Sequence, residues 1–198
     1  MQERILQTTD RLFYEQGIRA VGVDTVAAAV GISKRTLYNY YPSKDELITA
    51  YLSRRFRPVP FTEQPPAEQI LGNFERLERS FASDRFRGCP FVNAVAELKE
   101  PGHAANRIAV AFKDARRAWF RELLVRLDVA DPDGLATQLM LLVDGAIAAA
   151  IVRGDPKIAG AARAAAATLL AAAGVDPADG AARALKSRRR KNSRKSRA

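Results

Sequence analysis

The sequence predicts an all-α protein made of a three-helix N-terminal head and a larger helical body. Apolar residues recur at the helical period along most of the chain, and no segment has the two-residue alternation of a strand. The only Pro-rich segment, residues 58–66, separates the two parts. We therefore place the head at residues 1–57 and the body at residues 67–174, and we expect residues 175–198 to form a disordered basic tail.

In the head, capping residues and a short glycine-containing turn between two short helices predict a helix-turn-helix. Asp24 is placed to cap the first of them, and Gly31 can end it in the left-handed conformation that glycine adopts without strain. Ser33 can cap the second helix, residues 34–41. Helices joined by so short a glycine-containing turn cross at a steep angle. A preceding amphipathic helix, residues 2–16, would cover the back of this pair.

The helix at residues 34–41 carries side chains suited to reading DNA. Leu37 would hold the helix to the head, while most of its other side chains offer cations, hydroxyls, an amide and aromatic edges. Such groups can contact the base edges and phosphates of a major groove, although the same residues also occur on ordinary solvated faces. The next helix opens with a capping box, Ser43 with Glu46, which places Lys44 on a first turn that suits a phosphate.

The residues of this region resemble those of a known family. Residues 31–47 read G-I-S-K-R-T-L-Y-N-Y-Y-P-S-K-D-E-L, which is similar to the DNA-binding signature of the TetR (tetracycline repressor) family of bacterial regulators. The turn glycine, the T-L-Y triplet, the S-K-D-E-L run and their spacing all agree, and the resemblance extends to about residue 55. It implies a three-helix DNA-binding head on an all-helical body that binds a ligand and dimerises.

The resemblance also implies which residues contact double-stranded DNA. Many family members have Ser or Thr ahead of the first helix of the motif, where this chain has Gly22 and Val23, so Thr25 is the nearest hydroxyl. Tyr40 stands where His is frequent in the family. The expected DNA-contacting residues are Thr25, Ser33, Lys34, Arg35, Thr36, Tyr38, Asn39, Tyr40 and Lys44.

The positive charge of the chain is concentrated at its C-terminus. The formal net charge is +10, yet eight Lys and Arg residues lie between Lys186 and Ala198, a stretch with no acidic residue. Because the rest of the chain is nearly balanced, the overall charge says little about the head. The tail can follow a phosphate backbone without reading sequence, or it can be an inert solubilising segment. We expect Arg54, Arg55 and Arg57, just after the motif, to be solvated, and one of them could reach a phosphate.

Residues needed for catalysis or for a metal site are scarce. The chain has one His and one Cys, which cannot form a zinc site of the usual kinds, and it has no Gly-rich phosphate loop or dinucleotide fingerprint. We therefore expect no enzyme activity, no cofactor and no metal. The single cysteine fits a reducing cytoplasm, and the chain opens without a secretory signal. Charged residues interrupt the long apolar stretches, so we expect a cytoplasmic protein without a membrane partner.

The last two predicted helices, residues 132–152 and 157–173, indicate a homodimer. They are apolar on nearly every side and rich in Gly and Ala, so they must be buried. A twofold partner would bury them if each chain gave two helices to a four-helix interface, and the alternative is that they form the core of a monomer. The expected interface residues are Leu142, Gly145, Ala146, Ala149, Ile151, Ala166 and Leu170.

We expect a pocket for a small-molecule effector in the body. Aromatic residues at helical spacing can line such a pocket, although plain core packing is the other explanation. Cys89 lies at a predicted helix N-terminus, where the helix dipole and Arg87 can stabilise a thiolate. This segment resembles the Gly-Cys segment in a subset of TetR-type regulators, some of which respond to electrophiles or oxidants, and a buried structural cysteine is the alternative. The candidate pocket residues are Phe74, Phe81, Cys89, Asn93, His103, Phe112 and Trp119.

The sequence is therefore interpreted as that of a homodimeric transcriptional repressor. In this interpretation it binds a palindromic operator through the helix-turn-helix and is released by a small, largely apolar effector. Release requires that the effector bind more tightly to the form whose heads no longer match the operator. The alternative hypothesis is a thiol-based repressor that senses oxidants or electrophiles and is switched at Cys89.

Overall fold

The computed structural model describes residues 1–100 and 102–175, and every regular element within these ranges is an α-helix. The predicted all-α fold is therefore confirmed, and the four helices whose bounds the sequence predicts differ from them by at most one residue at either end. The helices are α1 (Gln2–Gln16), α2 (Val23–Val30), α3 (Lys34–Tyr40), α4 (Lys44–Arg55), α5 (Pro66–Phe81), α6 (Pro90–Leu98), α7 (Ala104–Val125), α8 (Pro132–Arg153) and α9 (Ile158–Ala172).

The predicted tail falls almost wholly outside the described residues, because only its first residue, Val175, is described. Val175 is buried with the apolar core that contains α9. Its backbone N–H donates a hydrogen bond of 2.9 Å to the carbonyl of Leu170. The packed chain therefore continues through Val175, one residue beyond the predicted end of the body.

The described chain divides into two compact units. The head unit comprises residues 1–58 and 87–115, and the body unit comprises residues 59–86 and the chain from residue 116 onward. The first division lies next to the predicted end of the head. The sequence did not indicate that α6 and the first half of α7 belong with the head, because both follow the Pro-rich segment and continue the same helical pattern.

The core of the head unit forms where α1 packs against α2 and α4. Each helix places its apolar residues at the helical period and so presents one apolar stripe to the others. The ring of Phe13 meets that of Tyr51 edge to face, with centroids 5.6 Å apart. The buried residues of this core include Ile5, Leu12, Phe13, Val26, Leu37, Leu47, Ile48, Tyr51 and Leu52.

Polar contacts at both ends of α6 fix this helix to the N-terminal part of the head unit. At its start, the Tyr14 hydroxyl accepts a hydrogen bond from the N–H of Arg87 and donates one to the carbonyl of Gly88, both at 3.0 Å. Near its end, the Glu97 carboxylate accepts a hydrogen bond of 2.8 Å from the N–H of Arg19. These contacts explain why α6 belongs to the same unit as the helix-turn-helix.

The body unit has a single apolar core formed by α5, α8, α9 and the second half of α7. By length and composition, α8 is the one helix in the described part of the chain that could cross a membrane. Seven of its residues are buried in this core, as in a core helix of a globular protein. The largest buried residues of the core include Ile70, Phe74, Trp119, Phe120, Leu123, Leu139 and Leu170.

Candidate nucleic-acid interface

The turn between α2 and α3 has the geometry that the sequence predicts. Gly31 adopts φ 75° and ψ 41°, which is the left-handed conformation. Its N–H donates to the carbonyls of Ala27 and Ala28, so the end of α2 is closed by backbone hydrogen bonds. A side chain at this position would be strained, because L residues rarely adopt such a φ.

Asp24 does not cap α2, and this part of the prediction is wrong. The helix begins at Val23 with Gly22 in the N-cap position, and no side chain caps it. The extended backbone of Gly22 starts the helix early enough to leave Asp24 inside the first turn. A carboxylate there still interacts favourably with the helix dipole.

One cap and one buried side chain position α3. The hydroxyl of Ser33 accepts a hydrogen bond of 3.0 Å from the N–H of Thr36, which confirms the predicted cap. It also lies 2.8 Å from the Thr36 hydroxyl. Leu37 is completely buried, and it is the only residue of α3 that is. The helix ends one residue earlier than predicted, at Tyr40, and Tyr41 turns inward and is buried.

The other side chains of the motif remain accessible. A seven-residue helix held by one leucine leaves two large aromatic rings, Tyr38 and Tyr40, at the surface, where they serve no core. Thr25 is exposed on the first turn of α2. Contact of these residues with DNA stays a prediction. The exposed residues of α3 are Lys34, Arg35, Tyr38, Asn39 and Tyr40, with Thr36 half-buried.

An exposed ion pair joins the start of α3 to the first turn of α2. The Lys34 ammonium donates a hydrogen bond of 3.0 Å to the Asp24 carboxylate. This hydrogen bond, together with the attraction of the opposite charge, raises the pKa of Lys34. Exposed pairs of this kind contribute little to stability. A DNA phosphate could therefore take the ammonium from Asp24 at little energetic cost.

Lys44 occupies the place that the capping box predicts, on the first turn of α4. The Ser43 hydroxyl accepts a hydrogen bond of 3.0 Å from the N–H of Glu46, which confirms this cap. Burial is the main cause that lowers the pKa of Lys44, whereas Glu97 and Asp45 act in the opposite direction. A phosphate at this helix N-terminus would offset the loss of solvation of the ammonium.

Contacts between α1 and the motif, which sequence reasoning missed, hold the motif in place. From α1, the Arg4 guanidinium donates a hydrogen bond of 2.7 Å to the carbonyl of Val30 at the end of α2. From α4, Arg55 donates two hydrogen bonds, of 2.6 and 2.9 Å, to the Asp10 carboxylate. The same guanidinium lies 4.0 Å from the centroid of the Tyr14 ring.

The expectation that Arg54 and Arg55 are solvated is therefore wrong. Both are half-buried, and Arg54 pairs with Glu3 at 2.8 Å. The signal that could have found these pairs is the spacing of Glu3 and Asp10, which lie two helical turns apart on α1. Two acids on one face of α1 match two adjacent arginines at the end of α4.

His103, a predicted pocket residue, lies in the head unit at the start of α7. Its Nδ1 accepts a hydrogen bond of 3.0 Å from the N–H of Ala105. Its buried Nε2 lies 3.4 Å from the Asp45 carboxylate, where alignment gives no hydrogen bond but a protonated ring would form an ion pair. His103 therefore lies beside Asp45, on the first turn of α4.

Three further predicted pocket residues, Cys89, Asn93 and Phe112, also belong to the head unit. Cys89 is buried and occupies the N-cap position of α6, as predicted. The Asn93 amide donates a hydrogen bond of 2.7 Å to the carbonyl of Arg87 and so closes the turn before α6. The Phe112 ring stacks on Phe91, with centroids 3.9 Å apart. Packing and turn closure therefore account for all three residues.

The remaining predicted pocket residues, Phe74, Phe81 and Trp119, are buried in the core of the body unit. The seven candidates are thus divided, four in the head unit and three in the body unit. The sequence could not reveal this division, because both groups follow the same helical spacing. Within the body unit, a pocket can be built only around the second group.

The predicted dimer residues are also divided. Ala146, Ala166 and Leu170 are buried in the core of the body unit, so they are not available to a partner, and the predicted interface is corrected at these positions. Gly145 and Ile151 are exposed, and Leu142 and Ala149 are half-buried. The sequence could not tell which side of an all-apolar helix its own chain covers. The exposed apolar residues of α8 that were not among the predicted interface residues are Leu141, Ala148 and Val152.

Comparison with known proteins identifies the same motif. The family model described as "Bacterial regulatory proteins, tetR family" matches residues 5–51, which span α1 to the last part of α4. A curated relative, the HTH-type transcriptional regulator YjdC of Escherichia coli, is 28% identical over 159 residues, which cover 76% of this chain and 83% of that relative.

Solved structures share the whole fold. A protein from Streptomyces avermitilis assigned to the tetR transcriptional regulators is 36% identical, with a TM-score of 0.79 over 88% of this chain and 98% of that chain. The TetR-family regulator CifR, solved as a cysteine mutant in complex with 26-bp double-strand operator DNA, is 22% identical. It has a TM-score of 0.70 and covers 83% of this chain and 93% of its own.

Proposed function

Because this chain belongs to the TetR family and is a helix-turn-helix transcriptional regulator, we propose that it acts as a homodimeric repressor. It binds a palindromic operator in double-stranded DNA through α2 and α3. A small, largely apolar effector, bound in the body unit, releases it. The repressor needs no enzyme activity, no cofactor and no membrane partner, and it works in the cytoplasm.

The observation that supports DNA binding most strongly is the division of α3 into one buried anchor and an exposed polar face. Leu37 fixes the position of the helix, and the Ser33 cap fixes its start. Arg35, Tyr38 and Asn39 are then free to reach base edges. At the flanks, Thr25, Ser33, Lys34, Thr36, Tyr40 and Lys44 bind phosphates or adjoining bases.

The exposed side of α8 supports a twofold dimer. Leu141 and Val152 are 66% and 85% exposed in the single chain, which is unusual for large apolar residues of a helix with so many buried neighbours. Gly145 and Ala148 lie between them on the same helical face, because these four positions are spaced by four, three and four residues. Small residues between large ones allow two helices to approach closely. A twofold dimer of this kind presents two heads to the two half-sites of a palindrome.

A thiol switch at Cys89 is the second candidate function. Its position at the N-cap of α6 favours it, since reactive cysteines are often found at helix N-termini. Its burial favours a structural role, because an oxidant must first reach the sulfur. A Cys89→Ser variant separates the two candidates. If the effector still releases this variant from DNA, the sulfur is not the switch.

Selection of DNA from a library of random duplexes tests the proposed function. The wild-type protein is expected to enrich a palindrome, whereas Arg35→Ala loses the preference without unfolding. Arg79→Ala is the matched control, because Arg79 is an exposed arginine on α5, outside the motif. Enrichment of no sequence by the wild-type protein, or an unchanged preference in Arg35→Ala, would contradict the proposal.

A further inference from the structure

One edge of α5 is polar and lies against an exposed segment that precedes it. Gln69 is buried on this edge, and its amide makes three hydrogen bonds to the segment. It accepts from the N–H of Thr62 at 3.0 Å, and it donates to the carbonyls of Thr62 and Gln64 at 3.0 and 2.7 Å. Residues 61–64, here named the strap, are all exposed. Gln69 therefore holds the strap to the body unit and is itself fully paired.

The neighbouring polar groups of this region are buried without such partners. Asn73, one turn after Gln69, is 1% exposed, and Trp119 on α7 is 5% exposed. Among the described residues, neither the Asn73 amide nitrogen nor the Trp119 indole nitrogen has a hydrogen-bond acceptor. Buried donors are normally paired, and an unpaired one destabilises the folded state. Two unpaired donors in one unit therefore point to an acceptor that the described residues do not supply.

Arg76 links the surroundings of the two donors. Asn73 and Arg76 are three residues apart on α5, so they share one face of the helix. The Arg76 guanidinium lies 5.9 Å from the centroid of the Trp119 ring. Phe61 of the strap stacks on the same ring, with centroids 6.3 Å apart and an interplanar angle of 26°. Trp119 therefore has both a cation and a strap residue close to its ring.

Phe61 is weakly held for a residue that covers a buried indole. It is 46% exposed, and besides Trp119 it contacts the Arg126 guanidinium, which lies 4.6 Å from its ring centroid. A planar ligand can take the place of such a ring at little loss of buried area. Burial is the main cause that lowers the pKa of Arg76, and the nearby Arg79 adds to it. An anion beside Arg76 would therefore be favoured.

We propose that the body unit binds an aromatic carboxylate beneath the strap. Its ring replaces Phe61 against Trp119, and its two oxygens accept hydrogen bonds from Asn73 Nδ2 and Trp119 Nε1. The Arg76 guanidinium supplies the opposite charge. This inference rests on the proposed function, since it assigns a chemical class and an anionic end to the effector. Only residues 59 and 60 separate the strap from residue 58, where the first segment of the head unit ends, so moving the strap is a means of regulation.

The fluorescence of Trp119 tests the site directly, because Trp119 is the only tryptophan of the chain. Three probes of equal ring size are compared: benzoate, the neutral acceptor benzamide, and benzylamine, which carries a cation and no comparable acceptor. Benzoate is expected to change the Trp119 fluorescence saturably. Of the three probes, it should do so at the lowest concentration. Benzamide binds more weakly, and benzylamine does not bind. Equal binding of benzylamine and benzoate, or no saturable change with benzoate at millimolar concentration, would overturn the proposal.

Four variants locate the site. Asn73→Leu keeps the side-chain size, removes an unpaired buried donor and is expected to fold, yet to weaken benzoate binding by roughly tenfold or more. Arg76→Gln should weaken benzoate but leave benzamide nearly unchanged. Phe61→Ala removes the competing ring and should strengthen benzoate binding, a result that a purely structural role of the strap does not predict. The control Lys157→Gln, which removes an exposed cation at the start of α9, should bind as the wild type does. Wild-type affinity in Asn73→Leu would refute the site.

Operator binding, measured on the same samples, separates this inference from the proposed function. Benzoate should weaken the binding of the wild-type protein to its selected operator, and it should have no such effect on Asn73→Leu. Specific operator binding without any response of Trp119 to benzoate would refute the ligand site alone. A benzoate response in a protein that has no operator preference would refute the proposed function alone.

Discussion

The helices α3 and α8 differ in how their sequences specify them. α3 has seven residues and buries one of them, whereas α8 has 22 residues and buries seven. On α3, a cap and a single leucine set the position, and the identity of each exposed side chain carries the chemistry. On α8, the volume and spacing of buried side chains matter, and one apolar residue can replace another of similar size.

This difference explains why the head can be interpreted residue by residue and the body cannot. A DNA-reading surface needs particular hydrogen-bonding groups at particular positions. A packed core needs only apolar volume, so its sequence says little about what the body binds. In the body unit, chemical information is carried by the few polar groups that interrupt the apolar pattern, of which Asn73 and Trp119 are buried without partners.

The largest expected effect comes from the exposed side of α8. Leu141→Arg would place an unpaired charge in a dry interface twice per dimer, which opposes association by about 3–5 kcal/mol for each charge. Sedimentation is expected to show monomers. The matched control is Val125→Arg, because Val125 is an exposed apolar residue that lies on α7 and not on the exposed face of α8. An intact dimer in Leu141→Arg would place the interface elsewhere, and the exposed face of α8 would then have no part in dimerisation.

The next largest effect is at the anchor of α3. Leu37 and Leu139 of α8 are both completely buried. Replacing either by Ala should lower the free energy of unfolding by about 2–5 kcal/mol. Under conditions in which both variants are folded, only Leu37→Ala should lose operator binding, because α3 has no second anchor. Calorimetry and operator titration measure the two quantities. Equal operator affinity in the two variants would show that α3 does not depend on Leu37.

A smaller effect is expected for the exposed face of α3. Arg35→Ala and Tyr38→Ala should each weaken specific operator binding by about 1–3 kcal/mol for a lost base contact. Neither should lower the melting temperature, because both side chains are exposed. Titration of operator and random duplex at matched salt separates loss of sequence reading from loss of charge. Unchanged operator affinity in both variants would remove α3 from the interface.

The sequence predicted much of the fold because the residues that begin and end its helices are easy to recognise. The bounds of α1 were predicted correctly, since the apolar period stops at Gly17. The caps Ser33 and Ser43 were also predicted correctly, and both side chains accept a hydrogen bond from the first turn of their helix. Such local signals act over a few residues and do not depend on the rest of the fold.

What the sequence could not predict depends on contacts between distant residues. The cap assigned to Asp24 was wrong because the backbone of Gly22 begins α2 earlier than a polar side chain would indicate. Leu170 was assigned to a dimer interface, although the chain's own core covers it completely. His103 was assigned to the pocket, and it lies against Asp45 of α4, 58 positions earlier in the sequence. An apolar period shows that a face is covered but not which element covers it.

The N-caps Ser33 and Ser43 test whether a residue at the start of α3 contributes to DNA binding as well as to stability. Ser33→Ala and Ser43→Ala each remove one cap hydrogen bond and should each lower the free energy of unfolding by about 1 kcal/mol. If Ser33 also contacts a phosphate, Ser33→Ala should weaken operator binding more than its effect on stability explains. Both quantities are measured for both variants. Equal operator affinities would assign Ser33 to capping alone.

The smallest expected effect concerns an exposed carboxylate at the start of α8. Asp133 accepts hydrogen bonds from Arg121 at 2.9 Å and from Arg117 at 3.0 Å, and these bonds lower its pKa. A carboxyl group with a lower pKa in the folded state than in the unfolded state binds fewer protons when folded. It therefore stabilises the fold above its unfolded pKa of about 3.9, and this contribution is lost as the pH falls through the folded value.

Asp133→Asn should accordingly be slightly less stable than the wild type at neutral pH, with the difference disappearing in acid. The effect is small because all three side chains are solvent-accessible. Urea unfolding at a series of pH values measures it, and Glu63→Gln in the exposed strap is the control that should follow the wild-type curve. A difference that persists unchanged below pH 3 would mean that Asp133 acts through packing or helix geometry rather than through its charge. Stability at the start of α8 would then depend on shape alone, as it does along the buried side of that helix.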